Sequence, residues 1–460
     1  MESTLVSYQK LVRARRWDFE YFDPEYQTVI DSIKSSGWKI FKLGEIVTNL
    51  TDGQHGYLVH LLEGVPLLRT TNIFENEIRL DDVRYIAPEV HTTIKRSQLK
   101  PGDVLLTTIG SLGIAAVVDN SLGEANINQN LVKMTPQPEI NSLYLSLFLN
   151  SNFGKVQTQR TASKSVVPII NYSRLKDIVI PVPPRSLQNQ IAQVMQEAYS
   201  DRRKKLQQAD QSYQKIIEYV FEDLGINLAH AQRKRNALVP ISFLQGGRFD
   251  FEAVVTVQDI SSQFAEHETT LLKEIVEQAN DRVTPSIDCS NEIVNYIGLA
   301  NIQSNTGELV NFEPVQGKEI LSSSPKFEKG DILFGRMRPY LNKVWIAEFD
   351  GICSGEALVF RPDKDKVDTQ FLHTLLLSEL TLDQVVPLQS GSSLPRVSSS
   401  DVLSIKLPIP EDLQIQRKIG KEVEKHRNEA KRLRIEAEAV VMTAKARVEQ
   451  MILGEEVGDG

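Results

Sequence analysis

Four short segments recur in the same order about 228 residues apart, and a period near half the chain length constrains the fold more than any other feature. Arg16-Trp17-Asp18-Phe19-Glu20 returns as Arg248-Phe249-Asp250-Phe251-Glu252, and Leu43-Gly44-Glu45-Ile46-Val47 returns as Leu272-Lys273-Glu274-Ile275-Val276. Further in, Gly102-Asp103-Val104-Leu105-Leu106 matches Gly330-Asp331-Ile332-Leu333-Phe334, and Ile178-Val179-Ile180-Pro181-Val182-Pro183 matches Ile405-Lys406-Leu407-Pro408-Ile409-Pro410. One such match is chance; four collinear ones with offsets of 227 to 232 point to duplication.

Each half shows the same plan. Short β-rich runs with turn signals come first, such as Val104 to Ile109 before Gly110, and predict a mixed α/β globule. A proline-rich strand closes it, Ile178 to Pro184 and Ile405 to Pro410, because proline continues neither a ladder nor a helix interior. The apolar period then lengthens. Ile419, Val423, Ala430, Leu433, Ala437, Val440, Ala444, Val448 and Met451 step by fours and threes, with His426 in the one missing place, which predicts a long heptad-patterned helix. Leu187, Ile191, Val194, Ala198, Leu206, Ala209, Tyr213, Ile216 and Val220 make a weaker copy, interrupted at Asp201-Arg202-Arg203. Each stripe needs a partner, and the nearest candidate is the other.

At 460 residues the chain exceeds one ordinary domain, and 41% hydrophobic with 24% charged residues excludes wholesale disorder. No apolar run approaches the ~20 residues of a bilayer span, no export signal is read at the N-terminus, and two cysteines suit a reducing compartment, so the cytoplasm is expected. The net charge of -8 excludes a surface that is all nucleic-acid footprint. The charge is uneven, however. Residues 201–236 and 415–453 are together +7 and the remainder -15, while Lys155, Arg160, Lys164, Arg174, Lys176 and Lys326, Lys329, Arg336, Arg338, Lys343 form local basic clusters.

Catalytic patterns are missing. His55 and His60, the closest histidine pair, have no cysteine near them, so no metal site is expected. Gly110-Ser111-Leu112-Gly113 lacks the lysine of a phosphate loop. Val182-Pro183-Pro184-Arg185 lacks the amide or acid and the aromatic residue that an amino-methyltransferase would put around its Pro-Pro. Pro362-Asp363 has no nuclease triplet to share a metal with, since Glu429-Ala430-Lys431 lies on the heptad helix.

Two globules, each closed by a proline strand and a heptad helix, with Gly-Asp-Ile/Val-Leu in each, resemble the specificity subunit of type I restriction-modification enzymes. The carrying motifs are Gly330 to Phe334 followed by Arg336-Met337-Arg338-Pro339-Tyr340-Leu341-Asn342-Lys343, and proline strands leading into Leu187-Gln188-Asn189-Gln190-Ile191 and Leu413-Gln414-Ile415-Gln416. The resemblance implies an α/β (mixed α+β) fold with two tandem target recognition domains separated by long antiparallel heptad-patterned helices, a pseudo-twofold internal repeat. It places domain 1 at 1–183, the first spacer helix region at 184–236, domain 2 at 237–410, the second spacer helix at 411–453 and a tail at 454–460. Each domain would read one half of a bipartite site in double-stranded DNA, and the helices would set the gap and dock two modification (methyltransferase) subunits. S-adenosylmethionine, ATP and Mg would belong to those and to restriction (translocase/nuclease) subunits, leaving this chain non-catalytic, without cofactor, metal or membrane.

Base readout needs long donors on loops. The candidates are Arg69, Thr71, Asn72, Ser111, Lys164 and Ser165 in the first domain and Asn301, Arg336, Arg338, Tyr340, Lys343, Ser392 and Arg396 in the second. Against them stands the observation that Thr71-Asn72-Ile73 and Ala300-Asn301-Ile302 repeat, whereas residues reading different half-sites should differ, as Arg336 and its counterpart Thr108 do. Ile191, Val194, Leu206, Tyr213, Ile216, Ile419, Val423, Leu433, Val440 and Val448 are assigned to helix or partner packing. A scaffold that binds proteins but no DNA, and the recognition part of a fused restriction-methylation enzyme, are the competing readings.

Overall fold

The computed structural model describes residues 24–56, 58–162, 168–224, 269–391 and 393–455. The repeat's opening pair at Arg16 and Arg248 lies outside them, as do Lys164, Ser165 and Ser392. The chain divides into two compact units, Met1–Lys204 with Glu436–Gly460, and Lys205–Ile435.

In the first unit, strands β1 (Val47–Asp52), β2 (Val104–Thr107), β3 (Ala115–Val117) and β4 (Leu131–Pro136) form an antiparallel sheet in the order β1-β4-β2-β3. β2 is buried along its whole length because the sheet is covered on both faces. Strand side chains alternate. Val104, Leu106, Val132 and Met134 face helices α1 (Ser142–Asn150) and α2 (Asn152–Arg160), whereas Leu105, Leu131 and Ala116 face a second layer built on Leu68, Ile73 and Ile127. The α1 layer also takes in Leu187, Ile191, Met195 and Ala198 from the first turns of α3 (Arg185–Asp223), and Val441, Ala444, Val448 and Met451 from the last helix of the chain.

The second unit is organised alike. Strands β5 (Val276–Gln278), β6 (Ile332–Gly335), β7 (Val344–Ile346) and β8 (Ala357–Pro362) pair antiparallel in the order β5-β8-β6-β7. Ile332, Phe334, Leu358 and Phe360 face α4 (Thr369–Leu377) and α5 (Glu379–Val385), and Leu333, Val359 and Trp345 face Ile297, Ile302 and Phe327. Ile216 and Val220 of α3 and Ile419 and Val423 of α6 (Leu413–Leu453) complete the α4 layer.

The recurring motifs have structural jobs. Gly102 and Gly330 sit at φ +90° and +96°, and the following aspartates cap the turn, accepting from Lys100 N and Glu328 N. Asp103 also accepts from Thr135 Oγ1 at 2.6 Å, where Asp331 takes the Arg361 fork at 2.9 Å. The proline strands, Val179–Val182 and Lys406–Leu407, form two-stranded edges with Lys39–Lys42 and Thr270–Leu271, where a missing N–H costs least. At each helix start a fully buried glutamine, Gln188 or Gln416, accepts from the backbone of Asn141 or Asp368, the cap residues of α1 and α4, and donates to Pro183 or Pro410 O.

The positions along the helix stripes differ in burial. Ile191, Ile216, Ile419, Val423, Leu433 and Val448 are buried, and Val194, Tyr213 and Leu206 are half-buried. One position shifts: Val441 is buried and Val440 only partly so. A straight helix drifts ~20° per heptad, so the buried seam slides by one residue between Ala437 and Ala444.

Candidate nucleic-acid interface

In the second unit, two loops far apart in sequence meet. The loop leaving β6 is joined to Ser390–Val397: Arg338 N donates to Pro395 O at 2.7 Å, Val397 N donates to Arg336 O at 3.0 Å, and Met337 bridges Arg396. The loop is shaped by Arg338 and Asn342, both left-handed at φ +51° and +49° and bracketing a single turn at Pro339–Leu341. Asn342 anchors its end by donating to Leu377 O, while Tyr340 is 48% exposed at the tip.

The cations of this loop pair divide by what they already hold. Arg396 forks onto Glu356, with Nη2 to Oε1 at 2.7 Å and Nε to Oε2 at 2.9 Å, and also reaches Leu394 O. That guanidinium, with Arg336 near it, holds the Glu356 carboxyl below the usual carboxylate range. Arg336 and Arg338 make no side-chain hydrogen bond or ion pair among the described residues, and their Nε atoms are buried without a partner. They are the two guanidinium groups with capacity to spare. Lys343 differs from both: its Nζ donates to Leu299 O, and burial lowers its pKa.

The first unit repeats the arrangement with other chemistry. Ile170 N donates to Thr108 O at 2.9 Å and Ile109 bridges Ile169, so the loop after β2 is joined to the segment around Ile169 and Ile170. Thr108, in the place of Arg336, is buried with its hydroxyl on Asn130 O. Ser111 is exposed at the loop tip. Arg69 and Thr71 lie on a separate turn, where Arg69 Nη2 pairs with the exposed Asp82 at 2.8 Å and Thr71 faces solvent.

The repeated asparagines are engaged within the fold. Asn72, 1% exposed, accepts from Arg69 N and donates to Arg79 O; Asn301 accepts from Gly298 N and donates to Asn311 O. Both amides are spent on the turn that each closes. Glu356 is the residue that the sequence reading missed. Aligning the halves places it opposite Asn130, since the backbone N–H groups of Arg336 and Thr108 donate to their respective carbonyls, and a difference at that place is the available signal.

Among the described residues no cluster could hold a metal ion, and no helix is long and apolar enough to cross a membrane.

Two similarly built units each present a joined pair of loops. The type I restriction modification DNA specificity domain matches twice, over residues 35–209 and 266–439, and the chain belongs to that family. It is similar to the type I restriction enzyme MjaVIII specificity subunit of Methanocaldococcus jannaschii, 24% identical over 391 residues, 81% of this chain and 82% of the relative. It is 33% identical over 130 residues to the EcoDI specificity subunit of Escherichia coli, a match spanning 27% of this chain and only 29% of that relative. Among solved structures, the S subunit of M. genitalium aligns over 92% of this chain and 97% of its own, with 14% identity and a TM-score of 0.44. A chain from a study of type I complex assembly and conformational transition aligns over 91% and 98%, with 13% identity and a TM-score of 0.49.

Proposed function

We propose that this chain is the DNA sequence-specificity subunit of a type I restriction-modification complex, non-catalytic itself and working in the cytoplasm. The globule of residues 1–183 reads one half of a bipartite site and that of 237–410 the other. The long helices α3 and α6, in this reading antiparallel spacers related by a pseudo-twofold, set the gap and dock two modification subunits. The exposed Ile435 and Met442 on α6 suit such docking. The observation that carries the reading is the loop pair with two uncommitted guanidinium groups, Arg336 and Arg338, in a unit matched by a DNA specificity family. An arginine fork reads guanine O6 and N7 in the major groove. Tyr340, Arg396, Lys164, Ser165, Ser111, Ser392, Arg69 and Thr71 complete the proposed surface, with Arg69 half-buried and held by the exposed Asp82.

The test is to produce the chain with its modification subunits and map adenine methylation on a genome. The expected result is one split, asymmetric motif. Arg336→Ala or Arg338→Ala relaxes a base in one half only, with a loss of about 1–3 kcal/mol of discrimination. No motif, or variants that leave it unchanged, would reject the reading.

A further inference from the structure

Each unit carries a tight turn whose tip touches both long helices. In the first, the hairpin Ile73–Phe74 with Glu77–Ile78 turns through Glu75 and Asn76, the latter at φ +59°. In the second, Ile302 bridges Leu309 around a turn that holds Asn305 at φ +64°. Glu75 accepts from Lys155 Nζ at 2.6 Å and from Lys445 of α6, and Asn76 Nδ2 donates to Tyr199 OH of α3 at 2.9 Å. Glu308 accepts from Tyr213 OH of α3 at 2.6 Å and from Arg434 Nη1 of α6 at 2.7 Å. Arg434 also reaches Gln303 Oε1 at 3.1 Å and lies over the Tyr213 ring.

The same tips hold the proposed reading loops. Asn76 N donates to Ala115 O, just past the loop of Ser111. Asn305 N donates to Asn342 O at 2.9 Å and Asn342 Nδ2 returns to Asn305 Oδ1, at the end of the loop of Arg338 and Tyr340. A polar path therefore runs in each unit from the helices through the turn to the loop.

We propose that Glu75 and Glu308 are latches: positioning residues that fix the attitude of each globule on the helices, and so the spacing at which two half-sites are accepted. The proposal deepens the recognition reading and rests on it. The apolar layer shared with the helices holds each globule firmly, but apolar burial is non-directional and tolerates small rotations. Charged hydrogen bonds have fixed geometry and lose much of their strength when it is disturbed. The two carboxylates are 28% and 18% exposed, so water replaces their partners poorly. Burial would raise the Glu75 pKa, yet the Lys155 and Lys445 ammonium groups outweigh it and hold the carboxyl below its usual value.

The experiment uses the chain assembled with its modification subunits and a DNA library in which the gap between the native half-sites varies by one or two base pairs either way. In Glu75→Gln and Glu308→Gln, preference for the native gap over its neighbours falls about tenfold, the worth of one charge-assisted hydrogen bond, while base preference within each half stays. Tyr199→Phe and Tyr213→Phe, which remove only a hydroxyl, shift the preference the same way should a glutamine variant fail to assemble. Unchanged gap preference in assembled variants, or loss of base preference together with gap preference, overturns the latch. A parent complex that methylates no gapped motif rejects the recognition reading itself.

Discussion

Whether a side chain can contact DNA depends on what it already holds, and that is settled by partners distant in sequence. Arg396 and Glu356 are 40 residues apart, and Lys343 and Leu299 are 44 apart, so no local pattern reveals either commitment. The asparagines carried a signal in sequence, since they repeat identically between the halves, and in the structure each amide closes its own turn. Asn72→Ala strands Arg69 N and Arg79 O in a buried turn and should cost about 1–3 kcal/mol in urea unfolding without changing the methylated motif. Gln416→Ala should cost a similar amount, because it leaves the α4 cap and Pro410 O unpaired at the helix start. His373 supplies a pH dependence. Burial, with Arg427 nearby, drives its pKa well below the usual value, while Nε2 donates to Val344 O. The unfolded chain therefore binds a proton that the folded unit refuses. Stability is complete above the unfolded value of about 6.5 and falls as the pH drops below it, by at most ~1.4 kcal/mol per pH unit. Urea midpoints between pH 7.5 and 5 should show this fall, and His373→Gln should flatten it.

At the scale of elements, the sequence was readable where chemistry demands a residue type. Gly-Asp marks a turn that needs a left-handed residue followed by a carboxylate cap, and it survives in both units although the third partner differs, Thr135 in one and Arg361 in the other. A Cβ on Gly330 would meet nothing within 4 Å, so Gly330→Ala tests the backbone alone. It should destabilise by about 1–2 kcal/mol, the cost of holding an L-residue in the left-handed region. The long helices were legible from their period, but their seam was not fully so. A strict alternation of fours and threes selects Val440, whereas the helix buries Val441, because the drift of a 3.6-residue turn accumulates until the seam moves over. Val441→Ala should therefore cost about 2 kcal/mol and Val440→Ala roughly half that, as measured by urea unfolding. The reverse order would mean that a heptad seam persists to the end of α6.

For the whole molecule, the proposed reading makes a helix a ruler, and a ruler can be lengthened. Seven residues inserted at matched places in α3 and α6 preserve the facing stripes, since two turns return the seam to the same side, and add about 10 Å. On B-form DNA that is about three base pairs at 3.4 Å each. Length is only one of two demands, because the duplex turns fully in about 10 base pairs, so three more swing the second half-site round by roughly 100°. The inserted chain must then twist the DNA or itself to reach both halves. The expected result is loss of methylation at the native gap by more than about tenfold, with weaker methylation at a longer gap and none at a shorter one, while the bases read in each half stay the same. Unchanged methylation at the native gap would show that the modification subunits, rather than α3 and α6, set the spacing. The acidic balance of the chain, -8 overall, bears on the same division of labour. If this subunit reads bases while its partners neutralise phosphates, the isolated chain binds DNA weakly and with a shallow salt dependence, and the steep slope of log affinity against log salt appears only on adding the modification subunits.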